Sequence, residues 1–177
     1  MPNIDEFKAS LLGGGARANQ FRVTISEPTG IGVGLDIRKT SFLVSAASIP
    51  AMNIPNIAIP FRGRSIYIAG DRDFPDAWTT TFYNDTDFMI RNAMERWSNG
   101  INDLATGTGV VNPSDYQSDL MVEHLDRGDT VLKSYIFRSA WPEGVTEIAL
   151  SSEASTAIET FDVTWRYQSY EASGVNF

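Results

Sequence analysis

The chain has 177 residues, of which 42% are hydrophobic and 20% are charged, and it carries a formal net charge of −8. This length and composition predict one globular domain and exclude an intrinsically disordered chain. The acidic balance excludes a conventional nucleic-acid-binding surface, because phosphate neutralisation requires clustered lysine and arginine. The sequence contains no cysteine, which excludes disulfides, thiolate chemistry and zinc held by cysteine.

No part of the sequence approaches an apolar run of membrane-spanning length. The first residues also lack the basic-then-apolar pattern of a secretory signal. We therefore expect no membrane insertion of this chain. The absence of cysteine is compatible with a protein that folds in a reducing cytosol and later works outside it.

The first predicted element is a short helix near the N-terminus. Asn3 can cap this helix, and Glu6, three residues later, completes a capping box. An apolar stripe that includes Phe7 follows at helical spacing, and three consecutive glycines end the segment. A helix of two or three turns is marginal alone, so we expect it to dock on its own subunit or on a neighbour. We assign residues 1–18 to an N-terminal arm and residues 19–177 to the core of the domain.

Alternation of apolar and polar residues predicts that most of the remaining chain forms strands. The predicted strands are 21–25, 42–47, 57–62, 64–69, 78–83, 119–126, 131–138, 147–151 and 161–168. Between two of them Gly63 is expected to form a bulge. Gly128 and Asp129 are expected to form a hairpin turn, and Trp141 with Pro142 a bend.

One longer helix is predicted at residues 87–98. Asp85 or Thr86 can cap its start, and Gly100 is placed to cap its end. Its apolar stripe at helical spacing is typical of core packing and consists of Ile90, Met94, Trp97 and Ile101. Eight or nine strands with one central helix predict a mainly β fold. We expect an antiparallel sandwich or barrel with one flanking helix and the short N-terminal helix.

The segment at residues 49–60 is apolar, with three prolines, four isoleucines and almost no charge. Because proline cannot donate to a central ladder, this segment is an edge strand, a hairpin arm or an extended loop. A segment this apolar is unfavourable in contact with water. We therefore expect it to be covered, either by another subunit or by the core of its own chain, and both alternatives remain open. The candidate contact residues are Ile49, Met52, Ile54, Pro55, Ile57 and Ile59.

A polar corner is predicted between the strands at 64–69 and 78–83, which it joins as a turn. Gly70 and Pro75 interrupt the strand pattern there. Arg72 is surrounded by three aspartates, which can lock the corner through charge-assisted hydrogen bonds. The alternative is an ordinary solvated turn. We expect Arg72 to be partly buried and paired with a carboxylate, in its own corner or across a subunit boundary. The residues assigned to this corner are Asp71, Arg72, Asp76 and Trp78.

The sequence contains no catalytic constellation. His124 is the only histidine and lies in the middle of a predicted strand. One imidazole without clustered acidic residues is a weak metal site, so an ordinary strand position is the favoured interpretation. The glycines at 13–15 lack the Lys-Ser/Thr ending of a phosphate-binding loop. We therefore expect neither an enzyme nor a bound cofactor or metal, but a protein whose role is its shape.

Several short motifs, in order along the chain, carry a resemblance to a known family. They are Ala69-Gly70-Asp71-Arg72 with Phe74 and Trp78, Asn84-Asp85, Trp141-Pro142, Leu150-Ser151 and residues 159–164. Together they extend over most of the chain from Asn19 onward. Their order and spacing resemble the tail tube proteins of T4-like contractile-tailed phages. Ala77 departs from the pattern of that family, which has an acidic residue directly before the tryptophan.

The resemblance implies a structural subunit of the virion, assembled in the host cytoplasm. Hexameric rings of such subunits stack into a hollow tube inside a contractile sheath, and DNA crosses this tube into the host without specific binding. The implied partners are further copies of the chain, the tail sheath protein, and baseplate and tail terminator proteins. Relatives with this fold also serve as baseplate tube-initiating proteins or as tubes of phage-derived contractile injection systems. A ligand-binding β-sandwich, favoured modestly by the aromatic content of 11%, is the alternative from another class.

An acidic balance is the sign expected of a channel that lets DNA pass without holding it. From charge alone, however, the favoured interpretation is that the chain is acidic merely for solubility. Asp119 and Glu123 share one face of a predicted strand and are the candidates for lining the channel. Which face of that strand is turned inward stays open. In the alternative arrangement the acidic residues lie on the outer wall and meet the sheath.

Overall fold

Antiparallel pairing between distant strands organises the chain, as the sequence predicts. The computed structural model describes residues 3–11, 15–153 and 156–175. The helices are α1 (Ile4–Ser10), α2 (Ile37–Leu43), α3 (Met89–Ile101) and α4 (Pro113–Tyr116). The strands are β1 (Phe21–Ile25), β2 (Val44–Ala47), β3 (Asn56–Phe61), β4 (Arg64–Ala69), β5 (Trp78–Tyr83), β6 (Ser118–Leu125), β7 (Val131–Val145), β8 (Thr160–Arg166) and β9 (Ser169–Ala172). The mainly β, antiparallel fold class is confirmed.

Strand β7 is long enough to belong to two sheets. Its first half pairs with β6 and β9, and β1 extends this group to give a front sheet of order β1-β6-β7-β9. Its second half pairs with β8, and the back sheet continues as β7-β8-β5-β2. Ser139, between the two halves, has a left-handed backbone with φ of 54°. Within the described residues the sheets do not close into a barrel, because β1, β2 and β9 each pair with one strand only.

The hydrophobic core lies between the two sheets and beneath α3. Trp78 of the back sheet stacks on Phe137 of the front sheet, with ring centroids 4.3 Å apart. Trp97 of α3 meets Trp165 of β8 edge to face at 5.6 Å. The indole Nε1 of Trp165 donates to Thr80 Oγ1 at 2.9 Å, so this buried polar pair is satisfied. Aromatic contacts of this kind tie both sheets and the helix into one core.

Helix α1 forms with the predicted capping box. The Asn3 side chain accepts a hydrogen bond from the Asp5 amide, and the Asn3 amide donates to the Glu6 carboxylate at 3.2 Å. None of the described α1 residues is buried, and Ile4 and Phe7 both point into solvent. The prediction that this helix docks on something is therefore not met within the single chain. Two of the three glycines expected to end it, 13 and 14, lie outside the described residues.

Helix α2 was not predicted, and the strand expected at 42–47 begins only at Val44. The carboxylate of Asp36 accepts hydrogen bonds from the amides of Arg38 and Lys39, each at 3.0 Å. This capping starts a helix that extends to Leu43. The apolar residues at its end run directly into the strand, which hides the boundary in the sequence.

Helix α3 is present with the predicted buried stripe, but its ends differ from the prediction. It begins at Met89, after Phe88 in a left-handed conformation. Asp85 still supplies a cap, since its Oδ1 accepts from the Met89 amide at 3.2 Å. Gly100 is not the C-terminal cap but lies in the last turn. A Cβ there would come within 2.7 Å of Ile31, so glycine permits this close contact.

The turn at Gly63 is not a bulge. Arg62 and Gly63, with φ of 48° and 82°, form a two-residue turn that joins β3 to β4 as a hairpin. Strand β4 pairs only with β3, whereas β5 lies in the back sheet. The predicted polar corner therefore connects two sheets and does not join a pair of hydrogen-bonded neighbours.

The C-terminal part of the chain corrects three further predictions. Trp141 and Pro142 do not form a bend that ends the strand, since β7 continues through them and pairs with β8. Residues 147–151 do not form a strand. Strand β9 was not predicted, because only two residues, 167–168, separate it from β8, and the chain changes sheet there. The alternating strand predicted at 161–168 is confirmed as β8, although it ends at Arg166, and the hairpin at Gly128 is confirmed as well.

Candidate assembly surfaces

The β3–β4 hairpin is a bare arm outside the core. Every residue of both strands is exposed. The register places Ile57 opposite Ile68 and Ile59 opposite Ile66, so four isoleucines share one face. These side chains are 44–50% exposed in the single chain. A cluster of exposed apolar side chains is typical of an interaction surface.

The residues that precede the hairpin are exposed as well. Ile49, Met52 and Ile54 lie in an extended segment and are about half accessible to solvent. Pro55 is exposed too. The alternative that residues 49–60 fold back over their own core is therefore wrong for the single chain. All six predicted contact residues are available for a partner.

The base of the hairpin meets the body of the protein at a cavity of about 480 Å³. Phe74, Tyr167 and Tyr170 pack edge to face on one another beside it. The Tyr170 hydroxyl donates to the Ala51 carbonyl at 3.0 Å, which fixes the segment leading into the hairpin. Burial raises the pKa of both tyrosines above the ordinary value.

The polar corner differs from the prediction in its key residue. Arg72 is exposed and pairs with no carboxylate of the described residues. The part of the prediction that buried Arg72 within its own corner is wrong, and pairing across a subunit boundary stays a prediction. Arg166 holds the corner instead, because it donates to the Pro75 carbonyl at 2.6 Å and pairs with Glu143 at 2.9 Å.

The other residues assigned to the corner divide between its surface and the core beneath it. Asp71 and Asp76 are exposed. Trp78 is buried, and its Nε1 donates to the Ser48 carbonyl at 2.8 Å. Trp78 is therefore a core residue that fixes the position where the corner enters β5.

The side of the front sheet that faces away from the core carries charged side chains around the apolar pair Met121 and Ile136. Leu120, Val122 and Phe137 alternate inward, which turns their strand neighbours outward. Asp119 and Glu123 share this outward face, as predicted. We call it the polar face and define it by its five charged side chains, Arg22, Asp119, Glu123, Arg138 and Glu171.

Arg138 is held between two carboxylates on the polar face. Its Nε and one terminal nitrogen donate to the two oxygens of Glu171, each at 3.1 Å. Its other terminal nitrogen donates to Asp119 Oδ2 at 2.5 Å. Both carboxylates raise the pKa of Arg138, that of Glu171 most strongly, and Arg138 in turn lowers the pKa of Glu171. Arg138 and Glu171 were not foreseen in the sequence.

A second, looser pair lies at the edge of the same face. Arg22 of β1 is directly opposite Glu123 of β6, and their charged atoms are 3.5 Å apart. The Glu123 side chain is only 13% exposed, whereas that of Arg22 is 45% exposed. Both channel candidates therefore have an arginine partner on a neighbouring strand.

Neither a metal-binding cluster nor a membrane-spanning helix is found among the described residues. No three His, Asp or Glu side chains among them are arranged to hold a metal ion. His124 is an ordinary position in β6, paired in register with Phe21 and Lys133. None of the helices in this part of the chain combines the length and the apolar character needed to cross a bilayer.

The chain is similar to tail tube proteins over nearly its whole length. The family model for phage tail tube proteins matches residues 16–173. The tail tube protein of Serratia phage KSP90 is 30% identical over 169 residues, which cover 94% of this chain and 95% of that protein. The tail tube protein gp19 of Enterobacteria phage T4 is 32% identical over 165 residues, covering 90% of this chain and 93% of that protein.

Solved structures of contractile injection systems share the fold. The tube-terminating cap of the anti-feeding prophage has a TM-score of 0.61 at 20% identity and covers 89% of each chain. A chain of the sheath–tube complex of an extracellular contractile injection system has a TM-score of 0.58 at 13% identity, covering 99% of this chain and all of the other. The chain belongs to the phage tail tube protein family, whose members are structural proteins and not enzymes.

Proposed function

We propose that this chain forms hexameric rings that stack into the hollow tube of a contractile phage tail and conduct DNA into the host. The observation that carries the proposal is the β3–β4 hairpin, whose four-isoleucine face has no partner within the described chain. An exposed apolar arm on a tail tube family member has an evident use in contacts between copies.

The open sheet edges support the ring. Each of β1 and β9 pairs with one strand only, so the front sheet has two free edges. Free edges invite pairing with another chain, and a closed cyclic assembly removes them. Pairing of the front sheets of successive copies would form one continuous inner wall around the ring.

The hairpin supports stacking. Its strands form their own two-stranded sheet, away from the strands that would build the ring wall. We assign the isoleucine face and the exposed segment before it to the contact between stacked rings. Burial of half-exposed isoleucines contributes roughly 25 cal/mol for each Å² of apolar surface removed from water.

The polar face of the front sheet supports the channel. Two arginines and three carboxylates leave this face with one net negative charge per subunit, which recurs in every copy of a ring. A weakly negative wall repels the phosphate backbone from all sides and keeps a duplex near the axis. We assign Asp119 and Glu123 to the channel on this basis.

The remaining partners follow the same assembly. A tube inside a contractile tail is surrounded by the sheath protein and ends at baseplate and terminator proteins, and the chain would reside in the virion. The similar folds include chains from a sheath–tube complex and from a baseplate, which agrees with these partners. The alternative is a tube or cap protein of a contractile injection system, favoured by the likeness to the anti-feeding prophage cap.

Negative-stain microscopy of the purified protein at high concentration tests the proposal. Six-fold rings or open-ended hollow tubes are expected. A protein that stays monomeric at every concentration, or forms only solid filaments, would overturn the hexameric tube. Quantifying the chain in purified virions separates a tube subunit, present in many copies, from a cap or baseplate protein present in few.

A further inference from the structure

We propose that the carboxylates of the polar face keep its arginines from binding the phosphates of passing DNA. The inference rests on the proposed channel. It concerns the Arg138 cluster, which consists of Asp119, Arg138 and Glu171 and draws one residue from each of β6, β7 and β9. A channel wall that contains arginine would otherwise retain DNA, since arginine is a strong phosphate ligand.

The hydrogen bonds of the Arg138 cluster occupy the part of the guanidinium that phosphate would use. All three guanidinium nitrogens donate to a carboxylate, and the contact with Glu171 is a two-pronged fork. Arginine binds phosphate with the same fork geometry, so Glu171 competes directly for that edge. Arg138 remains 40% exposed, which means that it is masked chemically and not by burial.

The cluster is positioned by backbone pairing. Asp119 also accepts from the Ser139 amide at 3.0 Å, at the point where β7 changes sheets. On the other side, the ladder pairs Ile136 with Glu171 and Arg138 with Ser169. Because each carboxylate is carried by a paired strand, its backbone is held beside Arg138.

Arg22 provides a weaker second instance. Its contact with Glu123 is longer, at 3.5 Å, and involves no fork. The Arg138 cluster is therefore the principal masked group, and freeing Arg138 is expected to have the larger effect on DNA.

The ring multiplies the consequence. A freed arginine would recur in each copy around one turn of the wall, so several phosphates could be contacted together. Each phosphate contact steepens the fall of log affinity against log salt by about 0.9. The alternative is that the Arg138 cluster only stabilises the packing of three strands. This alternative predicts no change in DNA retention when the carboxylates are removed.

The test compares tubes of the wild type with tubes carrying Asp119→Asn and Glu171→Gln, which preserve side-chain shape and remove both charges. The probe is a fluorescent duplex of about 30 base pairs, measured by co-sedimentation with the tubes across a salt series. We expect the double variant to retain at least about tenfold more duplex at low salt, with retention lost as salt rises.

Two matched variants separate unmasking from a general change of charge. Adding Arg138→Gln to the double variant should return retention to the wild-type level. The second control combines Glu143→Gln with Asp162→Asn, which removes the same charge from the back sheet and frees Arg166 from its carboxylate partner. This control is expected to behave as the wild type. Equal retention by the double variant and this control would overturn the inference.

A cysteine probe distinguishes failure of the inference from failure of the proposed channel. The native chain has no cysteine, so Ser134→Cys places a single thiol on the outward side of β7. Inside a tube this thiol should react with a small maleimide and not with a maleimide on a bulky polymer. Reaction with both reagents would overturn the channel, and the inference with it. A thiol protected from the bulky reagent, together with unchanged DNA retention, would overturn the inference alone.

A variant that fails to assemble into tubes does not leave the inference untested. Microscopy checks each sample for tubes before the binding measurement. The single variant Glu171→Gln removes the fork and leaves the contact between Asp119 and Ser139 intact. It should show the same salt-sensitive retention to a smaller extent, and its absence in intact tubes would count against the inference.

Discussion

Ile59 and Ile66 lie directly opposite each other on the β3–β4 hairpin, and both are about half exposed. Together with the Ile57–Ile68 pair they give the hairpin an apolar face that no other part of the described chain covers. A two-stranded hairpin is marginal alone in water, so this arm gains stability from a partner. Under the proposed function this partner is another copy of the chain.

Replacing Ile54 and Ile57 with aspartate is expected to abolish long tubes and leave soluble subunits or single rings. Charge on an exposed apolar contact opposes association, because each new carboxylate would have to be desolvated at the interface. Folding should change little, within about 0.5 kcal/mol, since both positions are exposed in the single chain. Negative-stain microscopy and thermal unfolding measure the two effects.

Leu104→Asp is the matched control for that pair of changes. Leu104 lies in the loop after α3 and is 95% exposed, far from the hairpin in sequence. Tubes of normal length are expected with it. Tubes of normal length with the Ile54 and Ile57 changes would remove the hairpin segment from the stacking contact.

Arg72→Ala is expected to change the stability of the single chain by less than about 0.5 kcal/mol, because the side chain is exposed and has no described carboxylate partner. Arg166→Ala should cost more, about 1 kcal/mol, since it removes a hydrogen bond to Pro75 and an ion pair with Glu143. Denaturant unfolding of both variants compares them. A larger loss of stability for Arg72→Ala than for Arg166→Ala would show that Arg72, and not Arg166, stabilises the corner.

Trp97→Ala is expected to destabilise the chain by roughly 3–5 kcal/mol through a core cavity. Trp97 is fully buried, packs on Trp165, and donates from Nε1 to the Tyr116 carbonyl at 2.7 Å. The loss should therefore loosen α3 and α4 together. Hydrogen exchange of these helices checks the result, and protection that matches the wild type would contradict it.

Low pH is expected to weaken the contact between Lys39 of α2 and Asp85, which caps the start of α3. Lys39 contacts Asp85 at 2.5 Å, and its hydrogen bond holds the pKa of Asp85 below the ordinary value of 3.8. A carboxylate with a depressed folded pKa stabilises the native state above its unfolded pKa. That contribution is lost as pH falls below about 3.8 through the folded value.

Thermal unfolding at pH 6 and at pH 3 tests the contribution of the Lys39–Asp85 contact. Asp85→Asn should lower stability at pH 6 and reduce the difference between the two pH values. Asp87→Asn is the matched control, because Asp87 contacts the same lysine but is 72% exposed. An equal effect of both substitutions would show that the less exposed contact with Asp85 contributes no more than the contact with Asp87.

The elements that could be predicted are those whose signal is local. The capping box of α1 needs only Asn3 and Glu6, and the alternation from Thr160 to Arg166 is complete within one strand. Helix α2 was missed because the apolar residues Phe42 and Leu43 continue smoothly into β2. A sequence therefore reveals an element with clear local signals, whereas an element that runs directly into the next one is hidden.

Which residues meet on the polar face depends on the register between paired strands, and the sequence alone does not determine that register. Asp119 and Glu123 could be placed on one face by counting along β6. Finding Arg138 beside Asp119 requires the register of β6 on β7, which is shifted by irregularities near both ends of the pair. Glu171 requires β9, a strand of four residues beside the change of sheet at Ser139. Counting back along both strands from the predicted turn at Gly128 could have suggested the contact between Arg138 and Asp119. It could not have suggested the contact between Arg138 and Glu171.

A cryo-EM reconstruction of the assembled chain tests the central proposal most directly, because it gives both the number of copies in a ring and the face turned to the lumen. We expect six copies per ring, the front sheets joined edge to edge, the polar face with Asp119, Arg138 and Glu171 on the channel wall, and the β3–β4 hairpin between rings. A ring with another copy number, or one that turns the polar face outward and leaves the hairpin in solvent, would contradict it.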